Sequence, residues 1–194
     1  ASLVQQVISI DDNHVLTAKV VVANVLSLGA SDKKDTGRMV TGRTKVIAAE
    51  MHRIQATVVG VLEPRTPAGA AVLGDFYLLS AGCTDKRSLG AELWFSLITP
   101  YAYLDDKPLL FQPNHFVVLF QDPRLLFVAV DAPAASWLCI AAHAPRTGYP
   151  NAVIAGWWRT LDILIRKFRG ARQIVLLIDA DAAIGNVTSK AIDS

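Results

Sequence analysis

Apolar residues along this chain come in short runs rich in β-branched side chains, interrupted by two longer stretches with helical spacing. Val4–Ile10 and Lys19–Ala23 are such runs, and the turn-like Asp11-Asp12-Asn13 between them predicts a strand pair. Arg38–Gln55 places Met39, Val46, Ile47, Met51 and Ile54 near a helical repeat after Gly37, so a helix is expected there, weakened by Gly42. Thr57–Leu62 predicts a strand ending at Glu63, followed by a turn over Pro64–Gly69. Phe76–Leu79 is a short strand. Glu92–Ile98 alternates with Leu93, Phe95 and Leu97 on one face, which predicts a half-buried strand. His115–Phe120 and Leu125–Val130 form a pair around the tight turn Gln121-Asp122-Pro123-Arg124, and Trp137–Ala142 follows.

A second helix is predicted over Asn151–Phe168, with Ile154, Trp157, Trp158, Leu161, Leu164, Ile165 and Phe168 as its apolar stripe. The basic residues of its last turn complement the helix dipole. The last run, Gln173–Ile178, reads as a buried strand leading into Asp179-Ala180-Asp181. This order predicts an α/β fold built as a two-sheet β-sandwich flanked by helices, in a single domain over residues 1–194.

Composition supports a thick core: 52% of residues are hydrophobic and 19% charged. No run of about eighteen uncharged apolar residues predicts a membrane span. The longest candidate, Leu125–Pro145, is cut by Asp131, Pro133, Ser136 and His143. Asp11 and Asp12 follow the first apolar run too soon for a secretory signal, so an intracellular protein, nuclear or cytoplasmic, is expected. Cys83 and Cys139 lack any metal-type spacing and read as free thiols of a reducing compartment. A net charge of +2 does not by itself announce a nucleic-acid binder. The groups Arg38, Arg43, Lys45 and Arg166, Lys167, Arg169, Arg172 read first as solvated helix faces. Trp137, Trp157 and Trp158 read as core or core-rim residues, and His14, His52 and His115 share no ligand spacing.

Chemistry enters where strands end in acids. Glu63 tips one apolar strand, and Asp179 with Asp181 tips another, an arrangement suited to a cation at the carboxyl edge of a sheet. Four stretches then act together: Val22-Ala23-Asn24-Val25, Gly60-Val61-Leu62-Glu63-Pro64-Arg65, Ala141-Ala142-His143-Ala144-Pro145 and Leu177-Ile178-Asp179-Ala180-Asp181. In order and spacing the chain resembles the endonuclease/exonuclease/phosphatase superfamily, which includes apurinic/apyrimidinic endonucleases. The wording is nearest to endonuclease domains of LINE-type retrotransposons. Gly90-Ala91-Glu92-Leu93-Trp94-Phe95 is similar to the glycine-led central strand of that family.

The resemblance implies a metal-dependent phosphodiesterase using Mg²⁺ or Mn²⁺, with DNA or another nucleic acid as substrate or ligand. It implies Glu63 and Asp179 as metal-associated carboxylates and Asn24 beside Glu63. Asp179 would activate water, His143 would donate to the phosphate, and Asn24 and Arg65 would bind substrate. The chemistry is sound on its own terms: Mg²⁺ is commonly held by one or two carboxylates, with water and phosphate completing its shell.

Two departures qualify the expectation. Asp181 stands where the family has Asn, so a group that only accepts replaces one that donates. On one strand Asp179 and Asp181 would lie about 6.6 Å apart, repelling by roughly 2.5 kcal/mol at an effective dielectric near 20. No histidine follows His143, whereas the family closes its site with a later Asp-His element. The expectation is therefore a carboxy-terminally incomplete domain, short of its last strands, with Asp181 among its catalytic acids and activity weak or lost. The alternatives are a non-catalytic nucleic-acid or protein-binding module on the same fold, or a phosphatase of small phosphoesters.

Overall fold

The structure, a computed structural model, describes residues 2–5, 8–11, 14–26, 28 and 41–180. Its strands are β1 (Ser2–Gln5), β2 (Ile8–Asp11), β3 (His14–Leu16), β4 (Lys19–Asn24), β5 (Val58–Leu62), β6 (Gly69–Leu73) and β7 (Phe76–Ser80), continuing with β8 (Ala91–Ser96), β9 (Ala102–Leu104), β10 (Lys107–Leu109), β11 (Phe116–Asp122), β12 (Leu125–Ala132), β13 (Ala135–His143) and β14 (Gln173–Asp179). Two α-helices, α1 (Gly42–Arg53) and α2 (Asn151–Arg169), and a 3-10 helix at Pro113–His115 complete the described elements.

A six-stranded sheet runs β1-β4-β5-β8-β7-β6, a four-stranded sheet runs β11-β12-β13-β14, and a smaller four-stranded sheet runs β10-β9-β3-β2. The first two pack face to face, with β13 lying across β5 and β8 and β14 across β4 and β5. Between them lies one core, containing Val58, Leu62, Leu93, Phe95, Trp137, Cys139 and Leu177. On the outer face of the six-stranded sheet, Ala48 and Met51 of α1 pack with Val59, Val61 and Trp94. Leu161 of α2 covers Phe127, Leu138 and Ile140 on the outer face of its sheet. The predicted sandwich with flanking helices is therefore the observed one.

Helix α1 starts where its chemistry allows. The Thr41 side chain accepts from the Thr44 amide and the Thr44 side chain accepts from the Thr41 amide, a reciprocal capping box. Gly42 occupies the first turn, where its flexibility costs little, and the part of the expected helix before Thr41 lies outside the described residues. Helix α2 matches its expected span to within one residue, but Trp158 leaves the buried stripe and is 38% exposed.

Several strand expectations need correction. The predicted Val4–Ile10 strand is two: β1 pairs with β4, whereas β2 turns back onto β3 in another sheet. The hairpins β6–β7 and β9–β10 went unpredicted beyond Phe76–Leu79, because Gly69-Ala70-Ala71 and Lys107-Pro108 carry no alternation. Strand β8 is buried on both faces rather than half-buried, with Glu92 and Ser96 inside and Leu97 beyond its end. Strand β14 errs the other way. Leu177 is buried, but Ile174 and Leu176 are 38% and 41% exposed, because β14 pairs with β13 on one side and ends the described order of its sheet.

Candidate functional site

Strand alternation carries three of the predicted polar residues to the same rim. Successive strand side chains face opposite sides, and Val20 and Val22 of β4 pack against the inter-sheet core, so Asn24 continues that face. The same reasoning extends Trp137, Cys139 and Ala141 of β13 to His143, and Val175 and Leu177 of β14 to Asp179. Strands β4 and β5 are parallel with Asn24 opposite Leu62, and β13 and β14 are parallel with His143 opposite Asp179. Two parallel pairs, one per sheet, thus end together between the layers.

Glu63 needs a different device. Leu62 faces the core, so a continuing strand would turn Glu63 away, toward α1. Instead Glu63 has φ +57°, a left-handed conformation unusual for a side-chain-bearing residue, and Arg65 has the same φ. The bend brings the Glu63 carboxylate over the rim, with Oε1 3.4 Å from His143 Nε2 and Oε2 3.6 Å from Arg65 Nη2. Backbone bonds hold the bend: the Glu63 amide donates to Gly90 O, Arg65 to Leu89 O, and Leu28 to Pro64 O. Gly90 has φ +117°, where a side chain is strained, and a Cβ there would stand a tight 3.0 Å from the Pro64 ring.

The second contact is Asn24 Nδ2, which donates to Asp179 Oδ2 at 2.8 Å, while Asn24 Oδ1 accepts from the Leu26 amide at 3.2 Å. The structure thus brings together Glu63 with His143 and Arg65, and Asn24 with Asp179. Asn24 was expected beside Glu63; its recorded side-chain partner is Asp179 instead. Asp181 lies outside the described residues.

Sequence reasoning named Arg65 but missed the two other arginines beside it. A cavity of about 190 Å³ is lined in part by Glu63, Arg65, Arg124, His143, Arg146 and Tyr149. Three guanidinium groups against one carboxylate favour an anion. Arg124 is fixed from below, since its Nη1 donates to His143 O and Ala144 O at 3.2 Å each. Its guanidinium lies 5.7 Å from the Tyr149 ring centre, within cation–π range. Asp122 shapes the turn that presents it, accepting from the Arg124 and Leu125 amides. The signal was present in sequence: Arg124 sits in the tight turn and Arg146 directly follows the His143-Ala144-Pro145 stretch.

Among the described residues no three His, Cys, Asp or Glu side chains are grouped to hold a metal. The two rim carboxylates are each already engaged, Glu63 with His143 and Arg65 and Asp179 with Asn24. Cys139 is no candidate ligand, for its burial raises the thiol pKa and keeps it protonated. The basic residues of α2 are on the surface, where Arg166 pairs with Asp162; beyond the helix, the half-buried Arg172 reaches Asp131. No described helix is long and apolar enough to cross a membrane.

No family model matches the chain, and no curated protein matches it. Among solved structures, it is similar to the endonuclease domain of TRAS1, a telomere-specific non-LTR retrotransposon. The match has a TM-score of 0.52 at 14% identity and covers 86% of this chain and 60% of that domain's chain. At that identity the likeness is one of fold, and the chain has the α/β sandwich fold of an endonuclease domain while spanning three-fifths of the solved chain's length.

Proposed function

We propose that the chain is a divergent phosphodiesterase-type domain of the endonuclease/exonuclease/phosphatase kind, acting on or binding nucleic acid, with the rim between the sheets as its site. The observation that carries this is the meeting of Glu63 with His143 and of Asn24 with Asp179, four residues delivered from four strands to one edge. Each residue has a task. Asp179, with Oδ2 held by Asn24, is oriented to accept a proton from water. His143 Nε2 donates toward a phosphate oxygen in exchange for its contact with Glu63. Arg65, Arg124 and Arg146 draw in the phosphate and shield its charge. Glu63 would hold Mg²⁺ or Mn²⁺, which when bound would neutralise the non-bridging oxygens.

Calorimetric titration of the protein with Mn²⁺, before and after Glu63→Ala, tests this reading. Weak binding in the parent and none in the variant is expected; equal binding in both removes the site.

A second reading is favoured by one observation, the pairing of Arg65 with the Glu63 carboxylate, which lets the rim satisfy its own charge without a cation. On that reading the arginine-rich cavity binds nucleic acid without cleaving it. Binding should then weaken steeply with salt and be indifferent to EDTA. Cleavage of a DNA duplex that stops on adding EDTA rejects the second reading in favour of the first.

A further inference from the structure

Beneath the Glu63 bend lies an acid that the proposed chemistry does not use. Glu92, in the middle of the six-stranded sheet, is completely buried. Its Oε1 contacts the Thr66 hydroxyl, and its Oε2 accepts from Trp94 Nε1 at 2.7 Å. Thr66 Oγ1 lies 3.2 Å from Ser80 Oγ, which in turn accepts from the Gly82 amide at 3.1 Å. The groups bonded around the carboxyl are the neutral Thr66, Ser80 and Trp94, and among the described residues no charged side chain acts on it. Burial without a charged partner favours the neutral acid. Thr66 Oγ1 donates to Glu92 Oε1 and Trp94 Nε1 to Glu92 Oε2, so each carboxyl oxygen has a donor.

The bend above needs such an anchor. Non-glycine residues at left-handed φ are strained by their Cβ, and they persist only where the surroundings over-determine them. Glu63 and Arg65 are both of this kind, on either side of Pro64. The amino-terminal side of the bend is held by the backbone bonds to Leu89 and Gly90. The carboxy-terminal side reaches Thr66, which is 1% exposed and tied by its side chain to Glu92 and Ser80.

The geometry points to Glu92 as a positioning residue, which acts through Thr66 to hold the Glu63 carboxylate against His143. As a role in cation binding this rests on the reading of Glu63 proposed above; as a role in placing Glu63 it stands without it.

The experiment joins two readouts. The first is the ¹H–¹⁵N chemical shift of the His143 imidazole, which senses Glu63 directly and needs no metal. In Glu92→Gln, whose amide keeps both bonds, the shift should match the parent; in Glu92→Ala it should move toward the value in Glu63→Ala. The second is Mn²⁺ affinity, expected to fall about tenfold or more in Glu92→Ala, the usual cost of losing an outer-shell support, and to be restored in Glu92→Gln. Thr66→Val, which removes the hydroxyl at nearly constant volume, should reproduce the alanine shift and serves where Glu92→Ala does not fold. An unchanged His143 shift in a folded Glu92→Ala or Thr66→Val protein overturns the inference. A parent that binds no Mn²⁺ while the shift moves as expected overturns the cation reading and leaves the positioning role standing.

Discussion

Gly60→Ala is expected to cost about 1–3 kcal/mol of folding stability, the usual penalty of overpacking, and to disturb the rim as well. Gly60 is in the middle of β5, a strand buried along its whole length. A Cβ there would stand 2.6 Å from Leu177 Cβ and 2.9 Å from Leu177 Cδ2. A contact to Cβ cannot be relieved by a rotamer change, so one sheet must move relative to the other. Leu177 is two residues before Asp179 on β14, and displacing β14 lengthens the 2.8 Å bond from Asn24. Adding Leu177→Ala should relieve only part of the strain, because alanine retains the clashing Cβ. Urea unfolding gives the energy; a change within 0.5 kcal/mol of the parent would mean that the sheets are not in the contact described.

The second large effect concerns pH. Burial pushes the Glu92 carboxyl up to about 7 from an ordinary 4.5, against the opposing effect of its hydrogen bonds from Thr66, Trp94 and Ser80. The native state therefore keeps a proton that the unfolded chain releases between those two values. Stability falls as pH rises through this window, and above it the parent carries a loss of about 3 kcal/mol. Glu92→Gln has no proton to lose. Its stability minus that of the parent should rise from pH 4.5 to pH 7 and level off by pH 8, which urea unfolding at several pH values would record. A constant difference across that range would show that Glu92 titrates normally. The comparison with the parent matters, since surface carboxylates give slopes common to both proteins.

How legible the molecule was depends on which forces set each part. Helix α2 could be read almost to the residue because its apolar spacing persists over about four turns, from Ile154 to Phe168. The β11–β12 hairpin was legible because Asp122-Pro123 is turn chemistry between two β-branched runs. Strand β8 misled, because Glu92 and Ser96 look like a solvent face in sequence. They are buried, with Glu92 bonded by Thr66 and Trp94 and Ser96 accepting from Thr99. No alternation rule can foresee that partners distant in sequence will satisfy a polar side chain. In the site, Glu63, His143 and Asp179 could be picked out as polar tips of apolar strands. Arg124 and Arg146 had only their position beside the turn and the His143-Ala144-Pro145 stretch to mark them, and an arginine in a turn is ordinary until its surroundings are known.

The sequence by itself determined the two helices, the longer strands, the layering of two sheets between helices and the strand ends at which polar side chains are offered, because alternation and helical period are local properties of the chain. Only the tertiary structure decided which of those polar groups meet. Asn24 finds Asp179 across 155 positions, Glu63 reaches His143 through a left-handed bend, and three arginines gather around one cavity. These encounters depend on the close approach of two sheets at Gly60 and on a buried hydrogen-bond network at Glu92. Both are properties of packing between distant segments, which no local pattern encodes.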